Sequence, residues 1–575
     1  MVIDAPSPDP DVPDTDVPDT DVPDIDVPDT DIVVVGSGAA GLVAALAAAS
    51  GGAKVRVLER SSFVGGTTAV SGGGIWVPQN DHMGELGVGD SREEALEYCR
   101  RMVDGRMPDE LVETFVDTVP AVVRHLEQTT PLRLRAMSWP DYHPEMPGAK
   151  PAGRMLEPDV FDTAVLGPWA ERVRPAPVLG MPITLEEQTV AWQLAYTPSK
   201  LDRTLVSSRT AAGQATVGRA LVSALLKGCL DSGVEILTSC RARALVLGSA
   251  GGVAGVRYDS GDRELEQPAT SVVLASGGFE WSEELKRNFL FGPLTAPTSP
   301  PFNEGDGLRM AMQAGAALAN MTEAWWYPSY SIPGETYEGH QLHRFVGTER
   351  SAPHCLLVNQ AGQRFVNESA NYNDMMKAFY HFDANRYCWR NIPCWSVMDS
   401  QYRRRYALAS ARPGRPDPPW LMSAGSLAEL AGLMGVGATA LTDTVARFNR
   451  FAARGTDPDF GRGESYYDRF HGDQSAPHPN LGTVDAPPFY ALEVHPGCVG
   501  TKGGPLTNSS GAVVSAQGGV IEGLYAAGNV AASPAGPAYF GGGCSIAMAI
   551  TWGHLAGTVA ASRVRARSGS GHPGS

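Results

Sequence analysis

Gly36, Gly38 and Gly41 stand in the spacing G-x-G-x-x-G, and an acid, Glu59, follows them. The chemistry this pattern suits is the binding of a dinucleotide. The first glycine allows a tight turn, the second lets backbone approach a pyrophosphate, and the third lets a helix pack on a strand. The acid lies at the distance expected of a ligand to a ribose hydroxyl. The elements that must position these residues are legible beside them. Asp31–Val35 is a short apolar run suited to a buried strand, an alanine-rich helix begins after Gly38, and Lys54–Glu59 reads as a second strand. Free N–H groups and the positive dipole end of that helix would face the phosphates.

The same texture recurs along the chain. Gly65–Gly74 packs glycines and hydroxyls into a loop. Ser91 and Glu94 have capping-box spacing, Pro108 suits the first position of a helix, and Leu111, Phe115, Val119, Val122 and Leu126 follow helical spacing with a kink expected at Pro120. Residues 137–155 read as a loop. Val234–Leu237, Ala244–Leu247 and Gly255–Tyr258 read as strands, and Ser271–Gly278 as a buried strand ending in a glycine turn. Residues 296–487 carry more aromatics, prolines and long loops. A strand at 489–494 and the block Gly519–Ala561 restore the first texture. The expected architecture is α/β: a Rossmann-like nucleotide-binding domain in two parts, residues 31–295 and 488–575, interrupted by an α+β domain at 296–487, where the substrate would be handled. Residues 1–30 form an acidic Asp/Pro-rich tail, whose prolines and like charges oppose helix and sheet.

Composition narrows the class. The chain has 575 residues, 43% hydrophobic and 19% charged, which suits a globular enzyme of two or more domains. Eleven aspartates precede residue 32, leaving only −6 of the net charge of −17 for the rest. No basic footprint for nucleic acid stands out. The eight cysteines form no C-x-x-C pair, which gives no zinc or disulfide framework and fits reduced thiols in a cytoplasm. No apolar run is read as a transmembrane segment and none as a signal peptide.

Four segments together resemble the flavin-dependent fumarate reductase/3-ketosteroid dehydrogenase superfamily: the opening glycine motif with Glu59, the Gly65–Gly74 loop, the strand Val272–Gly278, and Gly523–Asn529. The resemblance implies FAD. It implies that Gly36, Gly38, Ala40 and Gly41 meet the pyrophosphate and that Glu59 holds the adenosine ribose. Gly66, Thr67, Ser71, Gly72 and Gly73 would line the flavin and diphosphate, Ala242 would meet adenine, and Gly528 and Asn529 the ribityl side. Three further segments resemble the 3-ketosteroid Δ1-dehydrogenase branch: Trp139–Glu145 with Tyr142, Phe365–Tyr372 with Tyr372, and Ala538–Gly543 with Tyr539 and Gly543.

That resemblance implies a reaction. The Tyr539 hydroxyl and the Gly543 N–H would bind a ketone oxygen and stabilise the enolate that forms as an α-proton leaves. Tyr372 would take the proton. A free tyrosine titrates near 10, so its phenolate needs a donor, and Tyr142 is implied in that role. Hydride would pass from the β-carbon to the flavin, leaving a 1,2 double bond in ring A of a 3-ketosteroid. Without the resemblance, Tyr142 in its proline-rich loop reads as a packing residue, His143 and His495 as satisfied loop or core histidines, Tyr380 and Tyr525 as core, and Gly305-Asp-Gly307 as a structural turn. Trp325-Trp-Tyr327 suits an apolar pocket or a core equally.

The implied substrate is a small apolar, steroid-like ketone, and the implied partner an electron acceptor for which a quinone is the candidate. Several readings stay open: another cyclic ketone or a bile-acid intermediate, ene-reduction in the opposite direction, and a flavin- or steroid-binding protein without turnover. Fumarate-like acids fit poorly, because Val499-Gly500 stands where such reductases place a histidine. The run Gly541–Gly543 followed by Cys544 departs from the branch's pattern and is expected to make a flexible loop.

Overall fold

The computed structural model describes residues 29–249 and 251–569; all but the end of the acidic repeat lies outside them. Ile32–Val35 forms the middle of a six-stranded sheet. Across the sheet the order is Ala512–Val514, Val520–Ala526, Ser271–Leu274, Ile32–Val35, Val55–Leu58 and Glu235–Leu237. Every neighbouring pair is parallel except the first. Three central strands, Ser271–Leu274, Ile32–Val35 and Val55–Leu58, are buried at every residue, because helices and loops cover both their faces. An antiparallel three-stranded sheet, Cys240–Leu247, Val253–Ser260 and Arg263–Pro268, lies beside them.

The helix Ala39–Ser50 leaves the first strand and is buried along almost its whole length. It packs on the C-terminal helix Cys544–Gly569. A Cβ at Gly553 or Gly557 would lie 2.5 Å from the Ala40 oxygen or 2.2 Å from the Ala44 oxygen, so glycine lets the two backbones touch. This contact revises the reading of apolar runs. Cys544–Arg567 is long and apolar enough to cross a membrane, but 67% of its apolar window is buried inside the protein. Its composition answers to a core.

A second, mainly antiparallel sheet is built from Ala324–Tyr337, His340–Phe345, Cys355–Asn359, Cys394–Asp399 and Met422–Ala424 around Phe489–Thr501. The strand expected at 489–494 within the nucleotide-binding part therefore runs to Thr501 and is central to the other sheet. Its Pro496, Gly497 and Gly500 break the alternation by which strands are read. Elsewhere local rules hold. Ser91 accepts a hydrogen bond from the Glu94 amide at 3.2 Å, opening the helix Arg92–Val103. Pro108 caps the helix Asp109–Thr129 rather than occupying its first position.

Candidate functional site

One cavity of about 1200 Å³ runs from the end of the first strand to the second sheet. Gly36, Gly38, Ala40, Glu59, Gly66, Thr67, Ser71, Gly72, Gly73, Ala242, Gly528 and Asn529 line it, and so do Tyr142, Tyr372, Tyr539 and Gly543. Gly41 does not. A Cβ there would lie 1.9 Å from the Gly36 oxygen, so this glycine serves helix-on-strand packing behind the cavity wall.

The wall at the first strand has the features a dinucleotide requires. Gly36 sits at φ 104°, and a Cβ on it would lie 2.4 Å from the Ala275 oxygen. Only glycine fits that turn. Glu59 accepts bonds from the Ser37 amide at 3.1 Å and hydroxyl at 2.5 Å, and from the Ser61 amide at 2.8 Å. Ser37 in turn accepts from the Gly65 amide at 3.0 Å, so the carboxylate and the Gly65–Gly74 loop are fixed by one hydroxyl. Thr68 accepts from the Ala39 amide at 3.1 Å, which ties that loop to the helix N-terminus. The Ser276 hydroxyl, on the wall of the same cavity, has no hydrogen-bond partner in the protein. A polar group so placed suits a polar ligand. Neither Ser37, Thr68 nor Ser276 was singled out by the sequence; only the cavity gives them a common purpose.

At the other end three tyrosines close on one another. Ring centroids lie 5.3 Å apart for Tyr142 and Tyr372, 5.0 Å for Tyr142 and Tyr539, and 5.7 Å for Tyr372 and Tyr539. Tyr142 donates a short hydrogen bond to the Tyr372 hydroxyl. Each arrives on a different element. Tyr142 lies in the 137–155 loop, Tyr372 opens the turn of helix Tyr372–Met375, and Tyr539 precedes the C-terminal helix. The Ala547 amide donates to the Gly543 oxygen at 3.0 Å, so that helix starts at Gly543 and its positive dipole end lies at the tyrosines. Burial raises all three hydroxyls. Tyr142 and Tyr372 lie well above the ordinary value of 10, and Tyr539 is pushed up to about 12. At Tyr372 the bond from Tyr142 pulls the other way, toward the phenolate.

The glycine run between Tyr539 and the helix is closely surrounded. A Cβ on Gly541 would lie 2.5 Å from the Trp76 ring, on Gly542 2.7 Å from the Met155 sulfur, and on Gly543 2.4 Å from the Gly74 backbone. Gly543 also has φ 89°. The glycines permit close packing on these neighbours.

The loop carrying Tyr142 is held from below. Arg154, 1% exposed, donates to Asp90 at 2.8 and 2.6 Å and to Asp141 at 2.8 Å, while the Trp76 indole donates to Asp141 at 2.7 Å. The Tyr142 amide donates to the Phe540 oxygen at 3.1 Å, joining this loop to that of Tyr539. Arg154→Ala would leave Asp141 buried without its cation and Asp90 with only the distant Lys150, at 3.9 Å. Breaking such a pair costs about 3–5 kcal/mol, and urea unfolding should show a loss of that size; a loss below about 1 kcal/mol would contradict it.

His143, read as a satisfied histidine, bridges Glu145 at 3.0 Å and Asp374 at 2.7 Å. It thus links the neighbour of Tyr142 to the helix of Tyr372. Burial disfavours the imidazolium, but the bonds to Asp374 and Glu145 outweigh it and raise His143 to about 9. His495 lies 3.6 Å from Glu493, away from the tyrosines. Trp325 packs on Tyr539 at 4.7 Å, Tyr327 lines the cavity beside Tyr372 at 5.7 Å, and Trp326 packs on Tyr380 in the core. Of the three adjacent aromatics, Tyr327 lines the cavity, Trp325 lies behind Tyr539, and Trp326 packs in the second core. Tyr467, 5.4 Å from Tyr142, completes the aromatic wall and was not foreseen.

Residues 31–546 match the FAD binding domain family. The chain is 39% identical to a 4-oxocyclohexanecarboxylate 2-dehydrogenase of Sinomonas cyclohexanicum, over 92% of this chain and 92% of the relative. It is 38% identical to a 3-oxosteroid 1-dehydrogenase of Mycolicibacterium smegmatis, over 94% of this chain and 98% of the relative. The fold is similar to the crystal structure of the 3-ketosteroid Δ1-dehydrogenase of Sterolibacterium denitrificans in complex with 1,4-androstadiene-3,17-dione. That match has a TM-score of 0.85 at 32% identity and covers 93% of this chain and 99% of that one.

Proposed function

The chain belongs to the FAD binding domain family, and we propose that within it the protein is a dehydrogenase that places a 1,2 double bond in ring A of a 3-ketosteroid. The observation that carries the reading is the triangle of Tyr142, Tyr372 and Tyr539 at the end of the cavity whose other wall fits a dinucleotide. FAD, when bound, supplies the acceptor for the hydride.

The residues do the rest. Tyr539 and the Gly543 amide, at the positive end of the C-terminal helix, hold the ketone oxygen and favour charge on it. Tyr372 removes the α-proton, with Tyr142 donating to its oxygen as charge develops. The walls around them, Trp139, Tyr327, Phe345 and Tyr467, exclude water and suit a flat apolar ring. Toward solvent the lining continues with Leu179, Leu185, Leu194 and Leu201, which suits a large apolar body, and with Arg203, Arg412 and Arg415, which would suit a carboxylate.

A second reading is favoured by one finding, the similarity to the 4-oxocyclohexanecarboxylate enzyme. It keeps the same three tyrosines and changes only what fills the outer cavity. Competing androst-4-ene-3,17-dione against 4-oxocyclohexanecarboxylate decides between them. The steroid should have the higher kcat/KM; a preference for the small acid would replace the first reading with the second. The eight cysteines are free thiols, seven of them buried, which supports a reducing cytoplasm; the acceptor we propose to reoxidise the enzyme is a quinone.

The rate of substrate-dependent flavin reduction should depend on pH in two limbs. Tyr372 must lose its proton and is held above 10, so the rate rises with pH. His143 holds the Tyr372 helix while protonated. Its pKa, raised from 6.5 to about 9, makes that contribution complete below 6.5 and lost as pH rises through about 9. The rise should therefore bend over near 9, and His143→Gln should remove the bend. A rate independent of pH would contradict the role of Tyr372.

A further inference from the structure

Lys502 is fully buried and has no part in the chemistry above. It follows the central strand Phe489–Thr501 and turns its ammonium under the Tyr539 loop. Nζ donates to the Pro537 oxygen at 3.1 Å and the Ala538 oxygen at 2.7 Å, the two residues before Tyr539. It lies 4.2 Å from the centre of the Trp325 ring and 5.8 Å from that of Tyr539. Among the described residues it makes no ion pair; it senses Glu323 and Asp374 only at longer range.

An ammonium without a carboxylate is expensive to bury. Two carbonyls and an aromatic face stabilise this one in part, but burial still pushes Lys502 down to about 7. Such a group holds its proton more firmly once negative charge forms nearby. The place where charge is expected to form is the ketone oxygen on Tyr539. A structural tether for two carbonyls needs a donor, and a neutral side chain would supply it without the desolvation penalty.

We propose that Lys502 is a positioning residue for the reaction: its ammonium orients Tyr539 through the Pro537 and Ala538 carbonyls and stabilises, through Tyr539, the oxyanion formed on the ketone. This rests on Tyr539 being the ketone's partner.

Lys502→Gln keeps a donor for the carbonyls and removes the charge. In the FAD-loaded enzyme, with androst-4-ene-3,17-dione, kcat should fall about ten- to a hundredfold, less than for a direct oxyanion donor. The dissociation constant for 1,4-androstadiene-3,17-dione should stay within about threefold, because a neutral ketone gains little from the charge. Lys502→Arg should recover most of kcat. A readout independent of turnover is bound estrone, whose ring-A oxygen is a phenol. Its ionisation, followed by ultraviolet absorption, should need a pH about one unit higher in Lys502→Gln than in wild type, because the phenolate forming on Tyr539 keeps Lys502 protonated above its value of about 7 in the free site. A Lys502→Gln enzyme with wild-type kcat, or with unchanged ionisation of bound estrone, overturns the proposal. If Tyr539→Phe keeps wild-type turnover, the reading of Tyr539 fails; if Tyr539→Phe is impaired and Lys502→Gln is not, only the role of Lys502 fails. Should Lys502→Gln not load FAD, Lys502→Arg decides: wild-type-like kcat and estrone ionisation support the charge, and a loss as large as that of Tyr539→Phe overturns it.

Discussion

Tyr372→Phe is expected to slow substrate-dependent flavin reduction by about a thousandfold, within the range a positioned general base contributes. The substitution removes one oxygen and leaves the ring. That ring packs 5.1 Å from Phe345 and 5.7 Å from Tyr327, so folding, FAD content and binding of the dienone should be near wild type. The loss should appear in the reduction rate, with little change in the ligand's dissociation constant, as for a group that acts in the transition state. Rapid-mixing absorbance at the oxidised flavin band measures it. A Tyr372→Phe rate equal to wild type would remove the residue from the mechanism.

Tyr539→Phe should lower the same rate by about a hundred- to a thousandfold, the usual effect of deleting one oxyanion donor. Its signature differs from that of Tyr372→Phe. Tyr539 binds the ketone before reaction as well as during it, so the dissociation constant of the dienone should rise too. The Phe ring keeps its edge contact with Trp325 at 4.7 Å, which argues against a packing explanation. Stopped-flow reduction and an equilibrium titration of the dienone, run on both variants, separate the two roles. Matching losses of binding in both would contradict the assignment of one as base and the other as donor.

The nucleotide-binding half was legible because its signals are local. Strand, glycine turn and helix lie within residues 31–50, and the Gly36 turn, set by backbone sterics, can be read without knowing its neighbours. The tyrosine site was legible only through resemblance, since Tyr142, Tyr372 and Tyr539 come from three remote segments. The same distance hid His143 and Asp374, 231 residues apart, and Lys502, whose partners Pro537 and Ala538 lie 35 and 36 residues further on. The close packing of the glycine run at 541–543 was not legible, because composition shows what a residue permits, while Trp76, Met155 and Gly74 decide what surrounds it. The strand ending at Thr501 was cut short for a similar reason. Its proline and glycines weaken a strand alone, yet Ala324–Tyr337 on one side and Ala296–Pro297 on the other hold that stretch in the sheet.

The central claim is that this cavity oxidises the ring of a bound ketosteroid. The most direct test is an anaerobic absorption spectrum of the FAD-loaded protein before and after one equivalent of androst-4-ene-3,17-dione, with the steroid then recovered and identified. The oxidised flavin band should be lost and 1,4-androstadiene-3,17-dione recovered. Bound steroid beside flavin that stays oxidised would contradict it.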